Sequence, residues 1–270
     1  MKKKVMFLFL VVIMGIFSFS YSYADEIQQS GINKIVLSEG ERIIQLKKED
    51  VNGDGVKDSV YMIGKNLFAD SIYSSIQVKV LDGKTNDIFD IDFGDFAGYG
   101  GKMEVVDFTG DKIPEIMISA DTGGSGGIVD TRIASFKDNK TNIIYGEEEN
   151  KGFNFTGKFI DGFKVELRSD FLKNPLTLDV SRNSSSYIEG DIYSKDGKFI
   201  GKNTEPWSDS FGKIDAIDYD GDGTYNIEGV QRISGAWHAD GISTVTSEWN
   251  YKDGKWSPIS AEYTVPLNLE

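Results

Sequence analysis

The sequence predicts an all-β, propeller-like chain of about four repeated four-stranded units, with an open array of blades or a β-sandwich as alternatives, on three observations. The first is a nine-residue acidic loop that occurs three times, beginning at Asp50, Asp107 and Asp218. The second is a turn pair, Asp-Gly or Asp-Asn, that recurs at Asp82-Gly83, Asp138-Asn139, Asp196-Gly197 and Asp253-Gly254. The third is that the apolar segments are short and rich in β-branched and aromatic residues, as at 59–63, 75–81, 115–119, 132–136 and 244–251. That composition is the signature of strands, and after the first 24 residues no amphipathic helical period competes with it.

The two markers give one period. The loops start 57 and then 111 residues apart, the second step being close to twice the first, so one copy has lost its loop. The turn pairs follow one another at 56, 58 and 57 residues and fill that gap. The missing loop belongs near Asp161-Gly162, just before the apolar segment Phe163–Leu167. The units therefore lie near residues 40–95, 96–150, 151–205 and 206–265, within a single domain spanning 25–270. No Pro- or Ser-rich linker divides it.

The start of the chain reads as an export signal, residues 1–24. Lys2, Lys3 and Lys4 form a basic region, residues 5–19 are apolar, and Ser22-Tyr23-Ala24 supplies small residues for cleavage before Asp25. The apolar run is shorter than the roughly 20 residues a membrane span needs. Loss of these residues removes three lysines and no acid, taking the net charge from −14 to −17. Such a surface repels nucleic acid and anionic membranes and favours cations. No later stretch is apolar enough to span a bilayer. With no cysteine in the chain, no disulfide and no thiol chemistry is available. The expected location is outside the cell or in its envelope.

The loops have the composition of calcium sites. Calcium takes six to eight hard oxygen ligands, which a short loop supplies from side chains at positions 1, 3, 5 and 9 and a backbone carbonyl at position 7. Asp50, Asn52, Asp54 and Asp58 with the carbonyl of Val56 fit that scheme, and Gly55 stands at position 6, where positive φ costs glycine least. The last loop repeats it with Asp218, Asp220, Asp222, Asn226 and the carbonyl of Thr224. The middle loop offers Asp107, Thr109, Asp111, Glu115 and the carbonyl of Ile113, but Lys112 replaces the glycine and brings a positive charge, so it should bind more weakly. Asx-rich turns also form without metal, but two full matches at a repeat-related spacing favour calcium. The sites are not EF-hands, because position 12 holds Tyr61, Ile118 and Gly229 where an EF-hand has glutamate.

The segments Val105–Ile118 and Ile217–Gly223 resemble the calcium loop and following strand of FG-GAP/VCBS-type repeats. That resemblance implies a β-propeller like those of integrin α-subunit heads, with calcium held in loops between strands. It implies adhesion, recognition or a structural role, with an extracellular protein or carbohydrate as partner, and no enzymatic activity.

Other segments carry weaker chemistry. Gly123–Gly127 lacks the Lys-Ser or Lys-Thr of a phosphate loop and reads as a turn. His238, the single histidine, has no nucleophile-elbow sequence to serve and cannot form a zinc site alone. Asp90, Asp92 and Asp95 are the carboxylates on which the alternative function, a secreted polysaccharide hydrolase, would rest. Trp207, Trp237, Trp249 and Trp256 concentrate in the last unit and are expected mainly as core residues, with sugar stacking as the other use.

Overall fold

The computed structural model describes residues 34–67, 71–202 and 204–266. The expected export signal lies outside them. Residues 34–41 form a separate short turn-rich segment in which the Ser38 backbone N–H donates to the Glu41 carboxylate (2.7 Å).

The rest of the chain is all-β. Four antiparallel meanders follow one another. The first contains β1 (Glu41–Glu49), β2 (Asp58–Asn66), β3 (Ile72–Leu81) and β4 (Ile88–Ile91); the second β5 (Gly98–Val106), β6 (Glu115–Asp121), β7 (Val129–Ser135) and β8 (Asn142–Tyr145). The third holds β9 (Thr156–Ile160), β10 (Lys164–Arg168) and β11 (Leu176–Asp179); the fourth β12 (Trp207–Ile217), β13 (Asn226–Ser234), β14 (Gly241–Lys252) and β15 (Lys255–Thr264). A four-residue helix, α1 (Glu147–Asn150), follows β8, and α2 (Ser184–Glu189) follows β11.

Each acidic loop joins the first and second strands of its meander, and three of the turn pairs join the third and fourth. In the third unit the loop is replaced by the turn Asp161–Phe163, with Gly162 and Phe163 at positive φ (84° and 54°). Its fourth strand is also gone: a 3-10 turn, α2 and a single bridge from Tyr193 to Phe199 around Asp196-Gly197 take its place. That unit departs from the expected four strands, since the polar run Ser181–Ser186 has no apolar alternation for a sheet edge.

The meanders are not four separate sheets. Pairing of Ile72 with Tyr99 and Tyr73 with Gly98 fuses the first two into an eight-stranded sheet, and pairing of Trp207 with Thr156 fuses the last two into a seven-stranded one. Strand alternation then distributes side chains to opposite faces. Along β6, Ile116, Ile118 and Ala120 enter a core shared by the first and second units, while Met117 enters another shared with the fourth. That second core brings Phe108, Met117 and Ile133 onto Phe211, Ile214 and Ile227. A third joins Phe159, Val165 and Tyr187 to Ile233, Ile242 and Val245. The packing order is therefore first, second, fourth, third, and not the order of the sequence. Full burial of one such side chain is worth about 1.5–3 kcal/mol, so these three cores outweigh any single loop contact.

Candidate metal centres

The three acidic loops fold alike, down to individual hydrogen bonds. In each, the carboxylate at position 1 accepts backbone N–H groups from positions 4 and 6. Asp50 takes Gly53 and Gly55 (both 2.8 Å), Asp107 takes Gly110 and Lys112 (both 2.7 Å), and Asp218 takes Gly221 and Gly223 (2.8 and 3.0 Å). The carboxylate at position 5 accepts the N–H of position 7: Asp54 from Val56 (2.9 Å), Asp111 from Ile113 (3.0 Å) and Asp222 from Thr224 (2.7 Å). Asn52 and Asp220 at position 3 accept from Asp54 and Asp222. Positions 4 and 6 take positive φ throughout, and Lys112 adopts it (69°) where the others have glycine. The lysine therefore does not prevent the loop from forming; it adds strain and charge to the same backbone.

Position 9 differs among the copies. Asp58 is wholly buried, accepting the N–H groups of Val51 (3.1 Å) and Gly83 (2.9 Å). Burial, and then the nearby negative charges of Asp82 and Asp50, push its carboxyl above the usual aspartate range. Glu115 is buried likewise, accepts Phe108 N–H (2.8 Å) and Thr109 Oγ1 (3.3 Å), and is pushed up to about 7 by burial and by Asp107 and Asp111. Asn226 instead donates its amide to Glu248 (2.8 Å). A lysine sits near the position-5 carboxylate in two copies. Lys84 lies 3.8 Å from Asp54, and Lys137 lies 2.8 Å from Asp111. Burial raises the Asp111 carboxyl, but the Lys137 ammonium and the Ile113 N–H outweigh it and hold the group below its usual range.

The donor set fits a hard cation. In the last loop, carboxylate oxygens of Asp218, Asp220 and Asp222 all lie within 4.8 Å of one another, the one such trio among the described residues. Converging carboxylates repel, and a divalent cation relieves that repulsion while oxygen ligands satisfy calcium. The carbonyls of Val56, Ile113 and Thr224 belong to the same turns, whose N–H groups are already engaged by position 5.

The loops also form a row, which the sequence does not show. A side chain at Gly53 would strike Ile113 of the middle loop (2.5 Å), and Gly110 of the middle loop lies against Thr224 of the last. The Asp107 carbonyl accepts the Tyr225 N–H (2.7 Å), tying the middle loop to the last. The turn pairs clasp this row: Asn52 donates to Asp82 (3.3 Å) and Asn139 (3.0 Å), and the Asp138 N–H donates to the Asn52 carbonyl (3.0 Å). Buried Asp82, held below its usual range despite burial by N–H groups of Thr85 and Lys84, is thus part of the centre, as are Asn139, Lys84 and Lys137. Their recurrence beside the loops was the available signal, read in the sequence only as a turn.

The remaining candidates are dispersed. Asp90 pairs with Lys79, Asp92 accepts the Gly94 N–H (2.9 Å), and these two with Asp95 are exposed. Exposed His238 lies with Nδ1 3.5 Å from buried Asp209. Trp249 packs on Phe153, Trp256 joins the core with Phe108 and Tyr145, and Trp207 donates to Asp209 (3.0 Å), leaving Trp237 as the exposed tryptophan. Gly123–Gly127 lies in the connection between β6 and β7.

Residues 153–264, the third and fourth units, match the family model described as the YybI C-terminal domain. The chain is similar to the uncharacterised protein YybI of Bacillus subtilis (strain 168), at 27% identity over 211 residues, which cover 77% of this chain and 80% of that protein. No solved structure matches.

Proposed function

We propose that the chain is an exported calcium-binding module acting in extracellular recognition, adhesion or architecture, with its four meanders serving as propeller-like blades. The observation that carries this reading is the recurrence of one hydrogen-bond pattern in three loops at equivalent points of three units. Asx turns form such bonds without metal, but a turn gains nothing from converging three carboxylates, as Asp218, Asp220 and Asp222 do, whereas a cation site does. Calcium in this reading holds the loop row together and serves no chemical step; the chain is not an enzyme. The loops would hold it through Asp50, Asn52, Asp54 and Asp58, through Asp218, Asp220 and Asp222, and more weakly through Asp107, Asp111 and Glu115.

The test is calorimetric titration of the exported chain with calcium. Asp54→Ala and Asp222→Ala should each remove one strong site, and Asp111→Ala at most a weaker one. Absence of calcium uptake in the wild type would refute the reading. Equal losses from all three variants would refute the rank order, which rests on Lys112 and Lys137.

A further inference from the structure

An open groove of about 410 Å³ separates β5 and β12, between the second and fourth units. Tyr99, Lys102, Asp121, Lys213 and Asp215 line it. It is made of residues that the metal loops do not use.

Both walls break their ladders where they border the groove. The pairing of β5 with β6 shifts register between Tyr99 and Lys102, with Gly100 and Gly101 at positive φ (81° and 59°). The pairing of β12 with β13 shifts between Phe211 and Lys213. A bulge interrupts regular strand pairing and re-aims side chains, and bulges concentrate beside functional sites. Glycine lets backbones approach closely at its edges: a Cβ at Gly212 would lie 2.8 Å from the Gly127 carbonyl, and one at Gly98, next to Tyr99, would lie 2.5 Å from the Asp121 carbonyl. The Gly123–Gly127 segment thereby acquires a place, packed against Gly212 and, through Gly123, against the Tyr99 ring.

The charges decide the ligand class. Lys102 pairs with Glu104 (2.6 Å) and Asp215 (3.5 Å), and Lys213 pairs with Asp215. With Asp121 also on the wall, an anion entering the groove finds both ammoniums already neutralised and carboxylates in excess. The site is too open to enclose an apolar molecule and carries charged side chains on both walls. A neutral, hydroxyl-rich ligand suits it: hydroxyls accept from ammoniums, donate to carboxylates and leave the ion pairs intact. Tyr99, 44% exposed, offers a ring face for the apolar side of a sugar. The volume falls in the range of small-ligand sites.

We propose that this groove binds a short neutral oligosaccharide. The proposal deepens the recognition reading and rests on it for the role, but not on calcium. The full exported chain, in millimolar calcium, is titrated with cellotetraose and tetra-N-acetylchitotetraose and, as the anionic arm, with tetragalacturonate. Amide shifts of Gly100, Gly101 and Gly212 are followed by NMR. At least one neutral tetrasaccharide should bind and move those amides, with affinity falling at least about tenfold in Tyr99→Ala and in Lys213→Met. No binding by either neutral sugar, tighter binding of tetragalacturonate, or undiminished binding by folded Tyr99→Ala overturns the proposal. Calcium titration of the same samples separates the two readings: normal calcium uptake without sugar binding removes the groove and leaves the calcium module standing.

Discussion

At the residue scale, Lys112 and Glu115 separate the middle loop from its neighbours. Lys112 occupies a left-handed conformation (φ 69°) that costs a side-chain-bearing residue about 1 kcal/mol. Lys112→Gly should therefore stabilise the calcium-free protein by about 0.5–1 kcal/mol in urea denaturation and tighten calcium at that loop. Glu115 gives the pH dependence. Folding raises its carboxyl from 4.5 to about 7, so the folded chain holds the proton more tightly than the unfolded one. The stabilising contribution is fully present below 4.5 and is lost as pH rises through about 7. Without calcium, stability should fall between these values with a slope of at most about 1.4 kcal/mol per pH unit from this group, and Glu115→Gln should flatten it. Calcium affinity of the loop should rise over the same interval, because metal and proton compete. The residues at positions 1, 3, 5 and 9 were legible in the sequence because oxygen-bearing side chains recur there at fixed spacing in all three loops. The burial of Asp58 and Glu115, and the diversion of Asn226 to Glu248, were not, because they depend on strands distant in sequence.

At the element scale, the hairpins and loops act as a connected set. The turn pairs Asp82-Gly83 and Asp138-Asn139 clasp the first loop, and the Tyr225 N–H joins the middle loop to the last. The sequence showed both periods but not this wiring, since two markers at one spacing need not touch. The connection from α1 to β9 is held by Gln231 together with Ser208, whose hydroxyl donates to the Phe153 carbonyl (3.0 Å) and accepts the Phe155 N–H (2.9 Å). Gln231, wholly buried on β13, donates to the carbonyls of Lys151, Phe153 and Asp209 and accepts the Phe153 N–H (2.8 Å). Gln231→Leu removes these bonds, leaving the buried Phe153 N–H without its acceptor, and should cost about 2–4 kcal/mol, read as a lowered urea midpoint with unchanged slope. The loss of the fourth strand of the third unit was partly visible, because the serine-rich run there carries no strand alternation.

At the scale of the whole molecule, a repeat in sequence specifies equivalent units but not their neighbours. The fourth unit packs on both the second and the third because β13 and β14 each present apolar residues to two cores, while β12 faces only the core shared with the second unit. The loop row follows this spatial order, so the charge of the first, second and fourth units accumulates along one line. A chain with no disulfide and a formal charge of −14 has no covalent means of opposing that repulsion. A cation that binds only the folded state opposes it by about 2.7 kcal/mol per site at a hundredfold excess over Kd. Thermal unfolding with calcium and with chelator measures this directly. The account predicts a substantially higher melting temperature in millimolar calcium, little recovery with magnesium, and loss of most of the difference in the double variant Asp54→Ala, Asp222→Ala. An identical melting temperature of the wild type in calcium and in chelator would contradict it.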